Sequence, residues 1–252
     1  MSKNFELLYQ TGKAQEMLQA EVEQESSIPP LSEVDTSTPA LEIDGMPREE
    51  VTKLIHRLFL LPGSEAPHHV VFAATESGSG CTWMCAHAAE ILASQIGSSV
   101  CLVDCNFRAP SLHEQFKVEN HSGLANALAG DVPIRQFAQQ LSRRNLWLVT
   151  AGAVDDSSEK LLTSGRMRKR ITELRSEFDY VLMDAAPVNT CNHSAIFGGW
   201  SDGVVLVLKA NSSRRDSTRE AIQQMQASNV RMLGAVLNQR TFPIPQRIYK
   251  HF

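Results

Sequence analysis

The chain has 252 residues, 42% of them hydrophobic, and a formal charge of -4. That length accommodates one α/β domain with terminal extensions, and the hydrophobic fraction is enough for a sizeable core. A net negative field does not favour a polyanionic partner, which sets nucleic acid aside, and no apolar run approaches the roughly 18 residues of a membrane span.

Residues 1 to about 20 carry Phe5, Leu7, Leu8, Met17 and Leu18 in a weakly amphipathic pattern. It suits a docking peptide or a tail, with the tail the plainer reading, and it lacks the basic-then-apolar order of a signal peptide. From Glu21 to Asp44 the chain is rich in Glu, Asp, Ser, Thr and Pro, which is linker composition. The expected division is therefore 1–45 as tail and acidic linker, 46–240 as the folded domain and 241–252 as a C-terminal tail.

The domain opens on a charged amphipathic helix, Arg48 to Leu60. An apolar run from His69 to Ala74 predicts a strand. Ser77-Gly78-Ser79-Gly80-Cys81-Thr82-Trp83 follows and leads into a helix from Thr82 to about Ser94. A glycine loop between strand and helix cradles phosphates on backbone N–H groups at the helix N-terminus. The position that carries lysine in such loops is Cys81.

Further strands are predicted at Val100 to Asp104, Leu146 to Thr150, Tyr180 to Asp184, Val204 to Lys209 and Met232 to Asn238. Helices are predicted around Gly123 to Ala129, Glu159 to Phe178 and Asp216 to Ala227. Apolar strands alternating with amphipathic helices imply a doubly wound, mainly parallel sheet. Ligands then lie at the carboxyl ends of the strands, where Asp104 and Asp184 terminate two apolar runs. A carboxylate there suits Mg²⁺ binding or hydroxyl activation, with capping of the next turn as the lesser alternative.

Cys81, Cys85, Cys101, Cys105 and Cys191 lie among these elements, a pattern of reduced cytoplasmic thiols. Their spacing is not the usual pairing of a zinc site, and buried free cysteine is the plainer reading. Arg166, Arg168, Lys169 and Arg170 form the densest basic cluster, and Arg214, Arg215 and Arg219 a second. Each reads most simply as the polar face of a helix.

Val100-Cys101-Leu102-Val103-Asp104-Cys105-Asn106-Phe107-Arg108 with Pro110-Ser111-Leu112-His113 resembles the second Walker-type motif of the bacterial tyrosine kinases. Tyr180-Val181-Leu182-Met183-Asp184-Ala185-Ala186-Pro187 is similar to that family's Walker B strand. Gly123-Leu124, Leu128-Ala129-Gly130 and Glu159 with Leu161-Leu162 stand where the family has its remaining signatures. The resemblance covers roughly residues 48 to 240 and implies a P-loop fold of the deviant ParA/MinD-like type. It further implies ATP or ADP with Mg²⁺ as cofactors and control of capsule or exopolysaccharide export through a membrane co-polymerase. By position, Gly78, Ser79, Gly80, Cys81, Thr82 and Trp83 would form the phosphate loop, and Asn238 would approach the adenine. Thr82, Asp104 and Asp184 would serve the metal, with Asp104 as general base and Arg108 near the phosphates.

Several residues depart from that pattern. Neither form of the Cys81 thiol replaces an ammonium facing phosphate. Trp83 replaces a small hydroxyl residue and either packs on the sheet or crowds the nucleotide. Asn106 replaces a second acid and cannot act as a base. Where the family ends in several tyrosines, only Tyr249 is available as phosphoacceptor. Glu50, Lys53 and His56 stand at the family's oligomerisation spacing with both arginines changed, so a solvated helix face competes with a ring contact.

Three readings follow. The first is a degenerate kinase-like protein acting by binding, recruited to the inner membrane face by a co-polymerase or an active kinase homologue, with homo-oligomers open. The second is an autokinase or slow ATPase in which Arg108 or a neighbouring chain supplies the missing cation. The third is a positioning ATPase, against which Glu76 stands where that group carries its signature lysine.

Overall fold

The computed structural model describes residue 41 and residues 45–60 and 66–240. The N-terminal amphipathic stretch, nearly all of the linker and the tail bearing Tyr249 lie outside the described residues.

The strands are β1 (His69–Ala74), β2 (Val100–Asp104), β3 (Ala138–Gln140), β4 (Leu146–Val149), β5 (Tyr180–Asp184), β6 (Gly203–Lys209) and β7 (Met232–Asn238). They form one sheet in the order β3-β4-β2-β5-β1-β6-β7. Every pairing is parallel except that of β3 with β4. The expected doubly wound α/β fold is present, and the central strands are buried from end to end because helices cover both faces.

Alternation along each strand sorts the core into two layers. In β1, Val71 and Ala73 face one layer, while Val70, Phe72 and Ala74 face the other. The second layer is closed by α1 (Met46–Ile55) and α2 (Cys81–Gln95). The helix α2 is apolar almost all round, with Cys85, Ala86, Ala88, Ala89 and Leu92 fully buried. It is sandwiched between the sheet and α1, which presents Val51 and Ile55 and then Phe59 from a wider π-turn at His56–Leu60. Glu50, Lys53 and His56 occupy the opposite, solvent-facing side, where Lys53 donates to Glu50 at 2.7 Å. A pair this exposed adds little stability.

The first layer is closed by α4 (Leu124–Ala129), α6 (Gly165–Glu177), α7 (His193–Trp200) and α8 (Arg215–Ala227). Two short helices complete the set, α3 (Leu112–Phe116) and α5 (Asp156–Leu161). The single helix expected over Glu159 to Phe178 is in fact α5 and α6. Ser164 breaks it, because its hydroxyl accepts from the Arg166 N–H and caps a new N-terminus. The sequence pattern did not reveal α7, whose two glycines lower helix propensity. A Cβ on Gly198 would lie 2.6 Å from both Val204 and Val230, so glycine is what lets α7 approach β6.

The first basic cluster is not simply a solvated face. Arg170 is 2% exposed, and its guanidinium donates to the carbonyls of Ala127 and Gly130 and to Glu173. Arg166 adds donors to the Leu128 and Ala129 carbonyls. Together they satisfy the orphan carbonyls at the end of α4. Arg170→Ala should therefore cost about 3 kcal/mol, since it strands buried acceptors and a carboxylate, whereas exposed Arg168→Ala should stay within about 0.5 kcal/mol. Urea unfolding of both variants checks this, and equal losses would contradict it.

Candidate functional site

Residues 75–80 carry the chain from β1 into α2 at the carboxyl edge of the sheet. Gly78 and Gly80 hold φ of 79° and 77°, left-handed values that glycine adopts without strain. The buried Ser79 hydroxyl donates to the Glu76 carbonyl at 2.8 Å, closing the turn on itself.

Two amides at the end of the edge strand brace this loop from outside. Asn238 Nδ2 donates to the Ser79 carbonyl at 3.0 Å and, more weakly, to that of Gly80 at 3.4 Å. Gln239 Nε2 donates to the Gly78 carbonyl at 3.2 Å. A Cβ on Gly80 would come within 2.5 Å of Asn238 Nδ2, so the close approach requires glycine. The resemblance puts Asn238 near adenine; in the structure its amide is given to the loop backbone. Sequence reasoning missed Gln239, and no periodicity marks it; it follows the end of β7 directly, with φ of 56°.

Asp104 and Asp184 are direct neighbours in the β2–β5 register, and both are essentially fully buried. Asp104 accepts from the N–H groups of Asn106, Ser111 and Leu112, each at 3.1 Å. It thereby fastens the segment that follows β2, which is the capping role its strand-end position allows. Burial lifts its pKa to about 6 against the lowering effect of those three donors. Asp184 rises further, to about 7, through burial first and then the charge of Asp104, opposed by hydrogen bonding from Thr82. The Thr82 hydroxyl donates to Asp184 Oδ2 at 2.6 Å, while Oδ1 is buried without a hydrogen-bond partner.

Cys81 begins α2 and is 9% exposed, packed in the apolar layer beneath the loop. Its thiol lies against the Asp184 carboxylate. Burial, then that negative charge, push the thiol well above its usual range, so it is neutral. Cys85 and Cys105 are likewise buried and raised. Among the described residues no group of His, Cys, Asp or Glu side chains is arranged as a closed metal site.

Arg108 donates from Nε to Glu159 Oε1 on α5 at 3.0 Å, in a partly exposed pair. Trp83 packs on the core with its ring 4.2 Å from that of His87, whose Nδ1 pairs with the Trp83 carbonyl at 2.8 Å. Of its two expected placements, this is packing. Asn106 keeps its amide oxygen buried and unpartnered, as does one oxygen of Glu76.

The residues fit a phosphate and metal group in part. The N–H groups of Ser79, Gly80 and Cys81 stand at a helix start and meet no acceptor among the described residues, and Thr82 with the unpartnered Asp184 oxygen makes a two-oxygen setting for a divalent cation. The charge that such a loop ordinarily places on the terminal phosphates is replaced by a neutral thiol.

No family model matches the sequence. The tyrosine-protein kinase YwqD of Bacillus subtilis is 27% identical over 169 residues, 67% of this chain and 71% of that protein. The tyrosine-protein kinase Wzc of Salmonella typhi is 27% identical over 169 residues, again 67% of this chain but only 23% of the relative. Among solved structures, the kinase domain of the Escherichia coli tyrosine kinase ETK superposes with a TM-score of 0.73 at 20% identity, covering 88% of this chain and 89% of that one. The septum site-determining protein MinD of Pyrococcus horikoshii superposes with a TM-score of 0.59 at 19% identity, covering 73% and 76%. The fold is thus that of the P-loop proteins of the ParA/MinD type.

The brace on the loop has a direct readout. Replacing Asn238 and Gln239 together by alanine removes donors worth about 1 kcal/mol each, so backbone amide order parameters over residues 77–81 should fall from the rigid value of about 0.85 toward about 0.6. Those in α6 should be unchanged. Equal order parameters for the loop in both proteins would show that the brace holds nothing.

Proposed function

Given that the chain belongs to the family of P-loop proteins that contains the bacterial tyrosine kinases, we propose that it works by binding, as a kinase-like component that does not transfer phosphate. The setting is the production and export of capsule or exopolysaccharide. The protein acts in the cytoplasm and is held at the membrane by a co-polymerase or by an active kinase homologue. No helix among the described residues is long and apolar enough to cross a membrane.

The observation that carries this reading is Cys81. Phosphoryl transfer is mostly electrostatic stabilisation of spreading negative charge, and loss of one preorganised donor costs about a hundredfold or more in rate. Here the lysine position holds a buried, neutral thiol turned toward a carboxylate. Arg108, the substitute suggested by the sequence, is paired with Glu159.

When bound, Mg²⁺ would neutralise phosphate charge, and Thr82 and Asp184 are the side chains to hold it. The amides of Gly78 to Thr82 would take the phosphates. Asp104, tied by three backbone donors, orients the segment after β2. Glu76 reverses the charge of the signature lysine of positioning ATPases, which weighs against that alternative.

Incubation of the whole protein with Mg²⁺ and γ-labelled ATP should leave Tyr249 unlabelled, with Tyr249→Phe as the blank. Cys81→Lys should strengthen ATP binding about tenfold to a hundredfold, the equivalent of one charge-assisted hydrogen bond. Label on Tyr249 of the unaltered protein would overturn the proposal in favour of an autokinase with a borrowed cation.

A further inference from the structure

The strand β7 is the outer strand on its side of the sheet, and no further strand lies beside it among the described residues. Edge strands are normally blunted by charge, proline or shortness, because their free backbone groups are a template for pairing. At the other edge, β3 is three residues long. By contrast β7 runs for seven residues and contains neither a charged residue nor proline. After an irregularity at Leu233 it keeps unbroken register with β6 from Gly234 to Asn238. The Asn238 carbonyl accepts from the Ala210 N–H, and successive residues of a strand turn alternately to its two sides. The N–H and C=O groups of Ala235 and Leu237 therefore face outward.

A groove of about 570 Å³ lies between this strand and α8. Leu208 and Leu237 are register partners, so they share a face of the sheet, and with Ile222 of α8 they give the groove an apolar floor. Leu237 is 58% exposed there. Lys209, Arg215 and Arg219 stand around the floor, and no acid is among the lining residues. Asp216 lies 3.7 Å from Arg219, but both side chains are so exposed that the attraction is weak. A chain of net charge -4 thus turns positive along this edge.

We propose that β7 takes an acidic peptide segment of a partner protein as an added strand, with its acids facing Lys209, Arg215 and Arg219. Main-chain hydrogen bonds to Ala235 and Leu237 supply affinity, and the side chains of alternate residues supply specificity. On the other face Leu233 and Val236 pack against the second layer, so apolar residues alternating with the acids extend that layer. Charge and shape select this occupant. A second copy pairing β7 with β7 would bring two basic walls together, and residues 241–252 carry Arg247 and Lys250 with no acid. An anionic membrane surface has the right charge, but it is flat and offers no backbone to the outward groups of β7. The proposal concerns how a partner is held and is independent of whether the chain transfers phosphate.

Fluorescence anisotropy of the whole protein with a labelled peptide of alternating glutamate and valine, about eight residues long, tests the proposal. This peptide should bind, and its counterpart with lysine for glutamate should bind about tenfold more weakly or worse. Arg215→Glu combined with Arg219→Glu should lower affinity about tenfold or more. So should Ala235→Pro, which removes an outward N–H and leaves the ladder with β6 intact. Leu237→Glu sets an acid on the floor and should give a similar loss with the backbone unaltered, so the test holds even where the proline variant fails to fold. Hydrogen exchange at the Ala235 and Leu237 amides should slow on binding, whereas that of Val236, turned to β6, should change little. Absence of binding by the glutamate peptide overturns the proposal, and so does equal binding of the two peptides. Cosedimentation with anionic phospholipid vesicles in place of peptide binding would overturn it in favour of a membrane surface. Dimers of the unaltered protein that Ala235→Pro abolishes would overturn it in favour of a second copy.

Discussion

Two carboxyl groups side by side in the interior, with no cation at the lysine position, set the terms for everything at this edge of the sheet. Asp104 and Asp184 end adjacent parallel strands, so the register itself forces them together. Both are buried, and the charge of Asp104 adds to the cost of ionising Asp184. The sign of the linkage follows. Both carboxyls hold protons in the fold at a pH where the unfolded chain has released them. The stability they contribute is complete below the unfolded pKa of about 3.9 and is lost as pH rises toward the folded values of about 6 and about 7. A fold that tolerates this near neutrality retains the pair at some cost in stability, as functional sites often do.

The surrounding groups divide the work of holding the site. Three backbone donors bind Asp104 into the segment after β2, and the Thr82 hydroxyl ties Asp184 to the first turn of α2. Neutral side-chain amides from the far edge of the sheet keep the glycine loop in shape. Geometry and charge are thus separated: the loop keeps its form through hydrogen bonds while lacking the ammonium that makes such a loop catalytic. That separation is what supports the proposed role in binding.

Much of this was legible in the sequence. The continuous apolar character of Val100 to Val103 and Tyr180 to Met183 reads as buried parallel strands because both faces are covered, and their terminal aspartates follow from that. The replacement at Cys81 is visible in the loop pattern alone. What stayed hidden depends on contacts between distant segments. Gln239 reaches a loop some 160 residues earlier, and Arg170 caps a helix 40 residues before it, so local pattern cannot separate either from a surface residue. Edge strand β3, Ala-Gln-Gln, carries no strand signal and is defined by its pairing with β4. Arg108 looks free to reach phosphate in the sequence because its partner, Glu159, lies within a separate short helix that the local pattern merges with the next.

The most direct test is a carbon-13 NMR titration of the Asp184 side-chain carboxyl in the nucleotide-free protein. If the site lacks a cation, this carbon titrates near 7, far above the ordinary carboxylate range of about 3.9, and moves down when lysine replaces Cys81. A carboxyl that is ionised down to ordinary carboxylate pH in the unaltered protein would mean that a positive group already reaches it, and a site without its cation would be the wrong description of this protein.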